Sequence, residues 1–156
     1  MTITLIYIGR QKKNIYEEVE QTFVKRIKHY VSLKIKAIQP ISYPRSLPID
    51  NIRKKEEELI ANHLSSSSIN ILLDENGKVY DSKQFSQFLN SKLNLSKDIN
   101  FIVGGAYGFS KSAKAKADCV LSLSKLTMPH HMARVVFLEQ LYRAYTIMRN
   151  EKYHNN

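Results

Sequence analysis

Short apolar runs alternate with amphipathic segments along almost the whole chain, and this alternation limits the possible folds more than any other feature. The apolar runs have the length and the bounding residues of strands, whereas the segments between them repeat apolar residues every three or four positions, as helices do. Strands that alternate with helices form a mostly parallel sheet with helices on both faces. The sequence therefore predicts one α/β domain over residues 1–156.

Five strands are predicted from the apolar runs. The second begins at Leu33 and ends where prolines at positions 40, 44 and 48 forbid regular structure. The third ends at Leu73, because Asp74–Lys78 has the composition of a turn. The remaining strands are predicted over residues 2–8, 99–103 and 119–123, and the third begins at residue 69.

Five helices are predicted between and after these strands, mostly from residues that cap a helix N-terminus. Asp50 and Asp81 are the predicted caps of the second and third helices, and Ser110 begins a short alanine-rich fourth helix. Thr127 is the predicted cap of the fifth helix, with Pro129 in its first turn. The first helix is predicted over residues 14–30 and the fifth over residues 130–149.

The chain is strongly basic. It has 24 Lys and Arg residues against 14 Asp and Glu residues, a formal net charge of +10. This excess favours an anionic partner, although nucleic acid, an anionic membrane surface and simple solubility all fit it. Residues 1–9 lack a basic leader and a cleavage site, and their apolar run is too short to span a bilayer, so we expect a soluble, cytoplasmic protein without membrane attachment.

Glycine is concentrated where the fourth predicted strand ends, since three of the five glycines lie within residues 104–108. Parallel sheets bind ligands beyond the carboxyl ends of their strands, so the exits after Leu73, Val103 and Leu123 are expected to form one pocket. A tight strand-to-helix turn would explain the glycines equally well on local grounds. The dinucleotide fingerprint G-x-G-x-x-G and the P-loop pattern are both missing, which argues against those two nucleotide sites.

The histidines do not predict a metal site. His130 and His131 are adjacent on a predicted helix, so their side chains point about 100° apart, and no carboxylate shares an i, i+4 face with either. The same helix is apolar around nearly all of its circumference and needs cover on more than one side. The sheet supplies one cover, and a second copy of the chain is a candidate for the other, which predicts a homodimer.

Six motifs, taken in order, resemble one family. They are Leu73–Lys78, Ile102–Phe109, Leu121–His130, Arg134–Val135, Glu139–Ala144 and Tyr153–His154. The ordered set resembles the ribosomal RNA large subunit methyltransferase H family of the SPOUT class, over essentially the full length. This resemblance implies an α/β fold whose C-terminal part forms a trefoil knot, S-adenosylmethionine bound in the knot, and a homodimer that completes the site.

The resemblance also implies the cofactor contacts and the substrate. Matched position by position, it places S-adenosylmethionine against Leu73, Gly104, Leu123, Ser124, Lys125, Leu126, Thr127 and Met128. These residues belong to the three strand exits already singled out. The implied reaction is methylation of N3 of a pseudouridine in 23S large-subunit ribosomal RNA, with the assembled ribosome as the substrate.

Such a reaction needs a route for the N3 proton and a cation near the developing anion. We expect His154 to accept the proton or to place the ring, with Tyr153 beside it and Arg143 or Arg134 as the cation. Phosphate contacts are expected from basic residues of the first, fourth and fifth helices. These residues are Lys25, Arg26, Lys28, Lys111, Lys114, Lys116, His130 and Arg134.

Two functions of other kinds remain open on the sequence. A noncatalytic RNA-binding or ribosome-assembly protein would explain the basic charge, but it would not need a ligand-sized pocket of loop backbone. A methyltransferase of the same knotted class that acts on transfer RNA would bind the same cofactor.

Overall fold

The computed structural model describes residues 1–10 and 14–154. No helix in these ranges is long and apolar enough to cross a membrane. The same ranges contain no group of three or more His, Cys, Asp or Glu side chains that could hold a metal ion. The elements follow in the order β1 (Thr2–Ile8), α1 (Ile15–Ile27), β2 (Ser32–Ile38), α2 (Ile49–Ala61), β3 (Ile69–Val79), α3 (Ser82–Leu93), β4 (Ile99–Val103), α4 (Lys111–Lys116), β5 (Cys119–Ser122) and α5 (His130–Met148).

The strands form one sheet in the order β2-β1-β4-β3-β5. Every neighbouring pair is parallel, which confirms the predicted parallel sheet. β3 lies between β4 and β5, and its Leu73 is in register with Val103 at the end of β4 and with Leu121 near the end of β5. The three strand exits singled out in the sequence are therefore neighbours in space.

Helices cover both faces of the sheet, as predicted. On one face, Ile27 of α1, Leu89 of α3 and Phe137 of α5 belong to the larger core and are fully buried. On the other face, Ile60 of α2 belongs to a smaller core, and Ala113 of α4 packs against it. The α/β fold class is confirmed, whereas the threading of the C-terminal part as a trefoil knot stays a prediction.

Much of the surface of the long helix α5 is buried by other elements of the same chain. Phe137, Leu138, Leu141 and Ala144 are all fully buried. α1 and α3 both pack against α5, in addition to the sheet. The apolar circumference of α5 is therefore a weaker argument for a second copy than the sequence suggested, although Met132, in its first turn, remains 39% exposed.

The predicted caps are confirmed for α3 and α4 and wrong for α2. Asp81 and Ser110 each accept a hydrogen bond from the backbone N–H three residues further on. α2 has Pro48 at its N-cap position, without a side-chain cap. Because the carbonyl of Pro48 already accepts the first helical hydrogen bonds, Asp50 lies inside the first turn, where it cannot cap the helix.

β3 continues beyond its predicted end, so the prediction of a turn at residues 74–78 is wrong. Leu73 and Lys78 both lie opposite Leu121 of β5, and the four residues between them form a bulge. A Cβ at Gly77 would lie only 2.6 Å from the carbonyl carbon of Leu121, so glycine is required at this close approach. Pairing on both sides of the bulge outweighs the local turn composition.

Candidate cofactor pocket and C-terminal cluster

A pocket of about 330 Å³ lies where β4 and β5 end, beside the bulge of β3. Its walls are the bulge of β3, the glycine-containing loop after β4, and the loop that joins β5 to α5. Seven of the eight predicted cofactor residues line it, namely Leu73, Gly104, Leu123, Ser124, Leu126, Thr127 and Met128. The structure thus brings these residues together, while their contacts with a cofactor stay predictions.

Lys125, the eighth predicted residue, is not among the lining residues. Its Nζ donates to the backbone carbonyls of Glu75, at 3.0 Å, and Gly77, at 3.3 Å. Thr127 Oγ1 donates to the carboxylate of Glu75 at 2.6 Å, so Thr127 does not cap α5 as predicted, and Pro129 occupies the N-cap position instead. These bonds join the bulge of β3 to the β5–α5 loop and so set the width of the pocket.

The glycine-containing loop is held from outside by α2. Arg53 Nε donates to the carbonyl of Tyr107 at 2.8 Å. The carboxylate of Glu57 accepts from the backbone N–H of Ser110, at 2.7 Å, and from its hydroxyl, at 2.9 Å. Charge-assisted hydrogen bonds of this kind are stronger than neutral ones, so α2 anchors the loop at two points.

Glu56 faces the same loop. Its Oε2 is buried without a hydrogen-bond partner, and burial, followed by the neighbouring Glu57 carboxylate, raises the pKa of Glu56. A Cβ on Gly105 would collide with this carboxylate. Glycine at position 105 therefore leaves room for the Glu56 carboxylate, which a larger residue would displace.

Asp74 places a buried charge in the pocket lining. Its side chain is 6% exposed and pairs with the Lys114 ammonium at 2.9 Å. Burial alone would raise the pKa of Asp74, but hydrogen bonds from Lys114 and from the backbone N–H of Asn76 hold it below its ordinary value. Lys114, a predicted phosphate contact, is therefore half-buried and ion-paired with a buried carboxylate.

The three predicted catalytic residues meet around a fourth, Glu139. The carboxylate of Glu139 accepts from Arg143 Nε at 3.0 Å and from the Tyr153 hydroxyl at 3.2 Å. Arg143 Nη1 lies 3.2 Å from Nδ1 of His154, and its guanidinium lies 4.7 Å from the centroid of the Tyr153 ring. We refer to these four residues as the C-terminal cluster.

The contact with Arg143 selects one tautomer of a neutral His154 ring. Because a guanidinium can only donate, Nδ1 of His154 accepts from Arg143, and a neutral imidazole then carries its proton on Nε2. Burial, followed by the negative charge of Glu139, raises the pKa of Tyr153. The phenol and the imidazole Nε2–H therefore both act as donors in this arrangement.

Within one chain, the C-terminal cluster is remote from the pocket. His130 lines the pocket, and Arg143 follows three and a half turns later on α5, which corresponds to about 20 Å along the helix axis. None of the cluster residues is among the described residues that line the pocket. Asn155 and Asn156, which follow the cluster in the sequence, lie outside the described residues.

The predicted RNA contacts of α1 and α4 are dispersed. Lys25 and Arg26 of α1 and Lys28 directly after it are exposed, as are Lys111 and Lys116 of α4. Arg26 turns toward α5, where its guanidinium lies 5.6 Å from the ring centroid of Tyr142. The basic residues at the end of α1 are all exposed, and their contacts with RNA stay predictions.

Arg134 is buried. Its Nη2 lies 2.8 Å from the carboxylate of Glu20, and its guanidinium lies 4.1 Å from the ring centroid of Tyr7. The charge is thus compensated inside the protein, which leaves Arg134 poorly placed as a phosphate contact or as the cation of the reaction. Burial, followed by the neighbouring positive charges, lowers the pKa of His130, so this imidazole is neutral at pH 7.

Reasoning from the sequence overlooked the acidic partners of these sites. Glu139 shares a helix face with Arg143 at i, i+4 spacing, but that pattern is equally typical of a surface ion pair. Asp74 directly follows the predicted end of a strand and could have been singled out on that ground. Nothing local indicates Glu57, because its partner Ser110 lies 53 residues away.

The sequence that forms this parallel sheet and loop pocket matches a family of methyltransferases. A family model described as "Predicted SPOUT methyltransferase" matches residues 1–154. The chain therefore belongs to the SPOUT methyltransferases, and within them to the family of the proteins named ribosomal RNA large subunit methyltransferase H. Such a relative from Christiangramia forsetii is 39% identical, and one from Flavobacterium johnsoniae is 40% identical, and each alignment covers 99% of both chains.

Solved structures share the fold at low sequence identity. A methylase family protein from Haemophilus influenzae Rd KW20 is 14% identical, with a TM-score of 0.54, and the match covers 99% of this chain and 70% of that one. A methylase family protein from Neisseria gonorrhoeae is 10% identical, with a TM-score of 0.50, over 90% of this chain and 81% of that one. At these identities the likeness concerns the fold alone.

Proposed function

We propose that this chain uses S-adenosylmethionine to methylate N3 of a pseudouridine in large-subunit ribosomal RNA, on the assembled ribosome and as a homodimer. The observation that carries the proposal is the pocket at the ends of β4 and β5, beside the bulge of β3, in a chain of a methyltransferase family. The names of the relatives supply the class of RNA. The modified base and the assembled ribosome rest on the motif resemblance alone.

The pocket suits the proposed cofactor in size and chemistry. Its volume of about 330 Å³ lies in the range of small-molecule sites, and its walls combine apolar side chains with loop backbone that can donate and accept hydrogen bonds. Leu73, Leu123 and Leu126 supply apolar surface for a purine ring, and Gly104 lets a ligand approach the backbone. When bound, S-adenosylmethionine supplies an electrophilic methyl group.

The C-terminal cluster is suited to placing the acceptor base. Arg143 is ion-paired with Glu139 and holds the ring of His154, whose Nε2–H can donate to a ring carbonyl and so stabilise the anion that remains when N3 loses its proton. Tyr153 stays protonated, donates its hydroxyl proton to Glu139 and offers an aromatic surface to the base. Of the two roles expected for His154, ring placement is therefore favoured over proton acceptance.

A second copy of the chain would bring the two sites together. The cluster and the pocket are about 20 Å apart along α5 within one chain, which is too far for one cluster to serve its own pocket. Tyr107 and Leu126 at the pocket are 45% and 78% exposed, an apolar surface that a second copy would cover. In the proposed homodimer, the cluster of one protomer reaches the pocket of its partner.

Two measurements test the proposed function. Calorimetric titration should show S-adenosylmethionine binding to the purified protein, and a chain that binds no cofactor would instead be a noncatalytic RNA-binding protein. Mass spectrometry of RNA from cells that lack the protein should show one missing methyl group in large-subunit ribosomal RNA. A methyl group missing from transfer RNA, with ribosomal RNA unchanged, would contradict the proposed substrate.

A further inference from the structure

A row of polar side chains crosses the sheet at the middle of its strands. The register places Lys34 of β2 beside Thr4 of β1, Thr4 beside Asn100 of β4, and Asn100 beside Asn70 of β3. Neighbours in register on parallel strands project from the same face. This is the face of the smaller core, so the apolar packing of α2 and α4 stops at this row.

The inner part of the row is satisfied by its own hydrogen bonds. Asn100 Nδ2 donates to Asn70 Oδ1 and to the hydroxyl of Ser68, both at 2.9 Å. Asn100 is only 8% exposed and its Nδ2 is already engaged, so this amide is part of the structure. What the row presents to solvent is its outer end at the edge strand β2.

A basic groove of about 640 Å³ lies at that outer end. Lys28, Lys34, Lys36 and His63 line it and are all exposed. Among the described residues, no carboxylate lines the groove, and no salt bridge involves any of its three lysines. Lys34 and Lys36 lie two residues apart on β2, so their side chains project from the same face about 7 Å apart.

We propose that this groove, which we call the β2 groove, is a docking surface for the phosphate backbone of RNA. Exposed lysines without acidic partners are the groups that neutralise phosphates and release counterions, and they do so without reading sequence. The inference rests on the proposed function, because it assumes an RNA substrate, and it adds a contact surface that is separate from the cofactor pocket.

The β2 groove and the cofactor pocket have no lining residue in common, so the two can be tested separately. The test variant is Lys34→Gln with Lys36→Gln. A matched control is Lys54→Gln with Lys55→Gln, which removes the same charge from exposed positions on α2. A third variant, Lys34→Arg with Lys36→Arg, keeps the charge in the groove.

Binding to large ribosomal subunits from cells that lack the protein would be measured at several salt concentrations. For Lys34→Gln with Lys36→Gln we expect an affinity roughly tenfold lower, and a slope of log affinity against log salt that is smaller by about 2. The control and the arginine variant should behave like the wild type. Calorimetry should give all variants the wild-type affinity for S-adenosylmethionine, which also shows that they are folded.

Two results would overturn the inference, and a third would overturn the proposed function instead. The inference fails if the glutamine variant binds the subunits with unchanged affinity and salt slope. It also fails if that variant only self-associates on gel filtration, because edge lysines would then serve only to prevent strand pairing between molecules. Wild-type protein that binds cofactor but no ribosomal RNA under any condition would contradict the proposed substrate.

Discussion

Asp74 lines the cofactor pocket and also stabilises the fold through its ion pair with Lys114. Replacing it with Asn removes a charge-assisted hydrogen bond and leaves the Lys114 ammonium without its partner. We expect Asp74→Asn to lower the free energy of unfolding by about 1–3 kcal/mol at pH 7. The control is Asp50→Asn, at an exposed pair with Arg53, for which denaturant unfolding should show a change below about 0.5 kcal/mol.

The effect of Asp74→Asn should depend on pH in one direction. The pKa of Asp74 is lower in the folded protein than its ordinary value of 3.8, so the carboxylate stabilises the fold at pH values above that value. This stabilisation is lost as the pH falls through the folded-state pKa. The difference between wild type and variant should stay constant from pH 7 to about pH 5 and shrink below about pH 4. An equal difference at pH 3 would show that the charge is not responsible.

Single residues were predictable where their signal is local. The glycines after β4 and the cap Asp81 could be recognised from neighbouring residues alone. Arg134 was predicted to contact RNA because basic residues are usually exposed, and only packing shows that Glu20 and Tyr7 enclose it. Long-range partners of this kind leave no trace in the local sequence.

At the scale of elements, α2 is expected to act on the cofactor pocket without lining most of it. Glu57→Ala removes both hydrogen bonds to Ser110 and frees one end of the glycine-containing loop. We expect the affinity for S-adenosylmethionine to fall roughly tenfold, because the looser loop must be ordered on binding. Amide hydrogen exchange of residues 104–110 should become faster.

The matched control for this prediction is Glu58→Ala, at an exposed position of the same helix. It should leave both the calorimetric affinity and the exchange of the loop unchanged. If Glu57→Ala binds the cofactor as the wild type does, the loop does not depend on α2 for its order.

Most elements could be predicted because hydrophobic periodicity is a local signal. β1, β4 and α3 lie where that periodicity placed them. β3 is longer than its periodicity predicts because its pairing with β5 resumes after the bulge. Pairing across 40 or more residues of sequence is a tertiary effect. α2 begins earlier than predicted, because the carbonyl of Pro48 accepts the first helical hydrogen bonds.

At the scale of the whole molecule, the proposed homodimer predicts complementation between two inactive variants. His154→Ala should lose activity but keep its pocket. Thr127→Arg should lose cofactor binding, because a long cationic side chain at this exposed pocket position would block the pocket, while its C-terminal cluster stays intact. If the cluster acts on the partner's pocket, a mixed dimer contains one complete site.

Random mixing makes half of the dimers mixed, so we expect roughly a quarter of wild-type methyl transfer after the two variants are unfolded and refolded together. Each variant refolded alone is the control and should remain inactive. No recovery on mixing, although mixed dimers form, would mean that the cluster serves the pocket of its own chain or neither.

By itself, the sequence determined the parallel α/β class, the three strand exits and the membership of the family, because periodicity and ordered motifs are properties of the chain read in order. Only the tertiary structure decided that Arg134 and Lys114 are held in ion pairs, and that α2 holds the glycine-containing loop. It also decided that the C-terminal cluster and the pocket lie at opposite parts of α5. These outcomes depend on contacts between residues far apart in the chain, whose pairing is set by packing and burial and not by sequence neighbours.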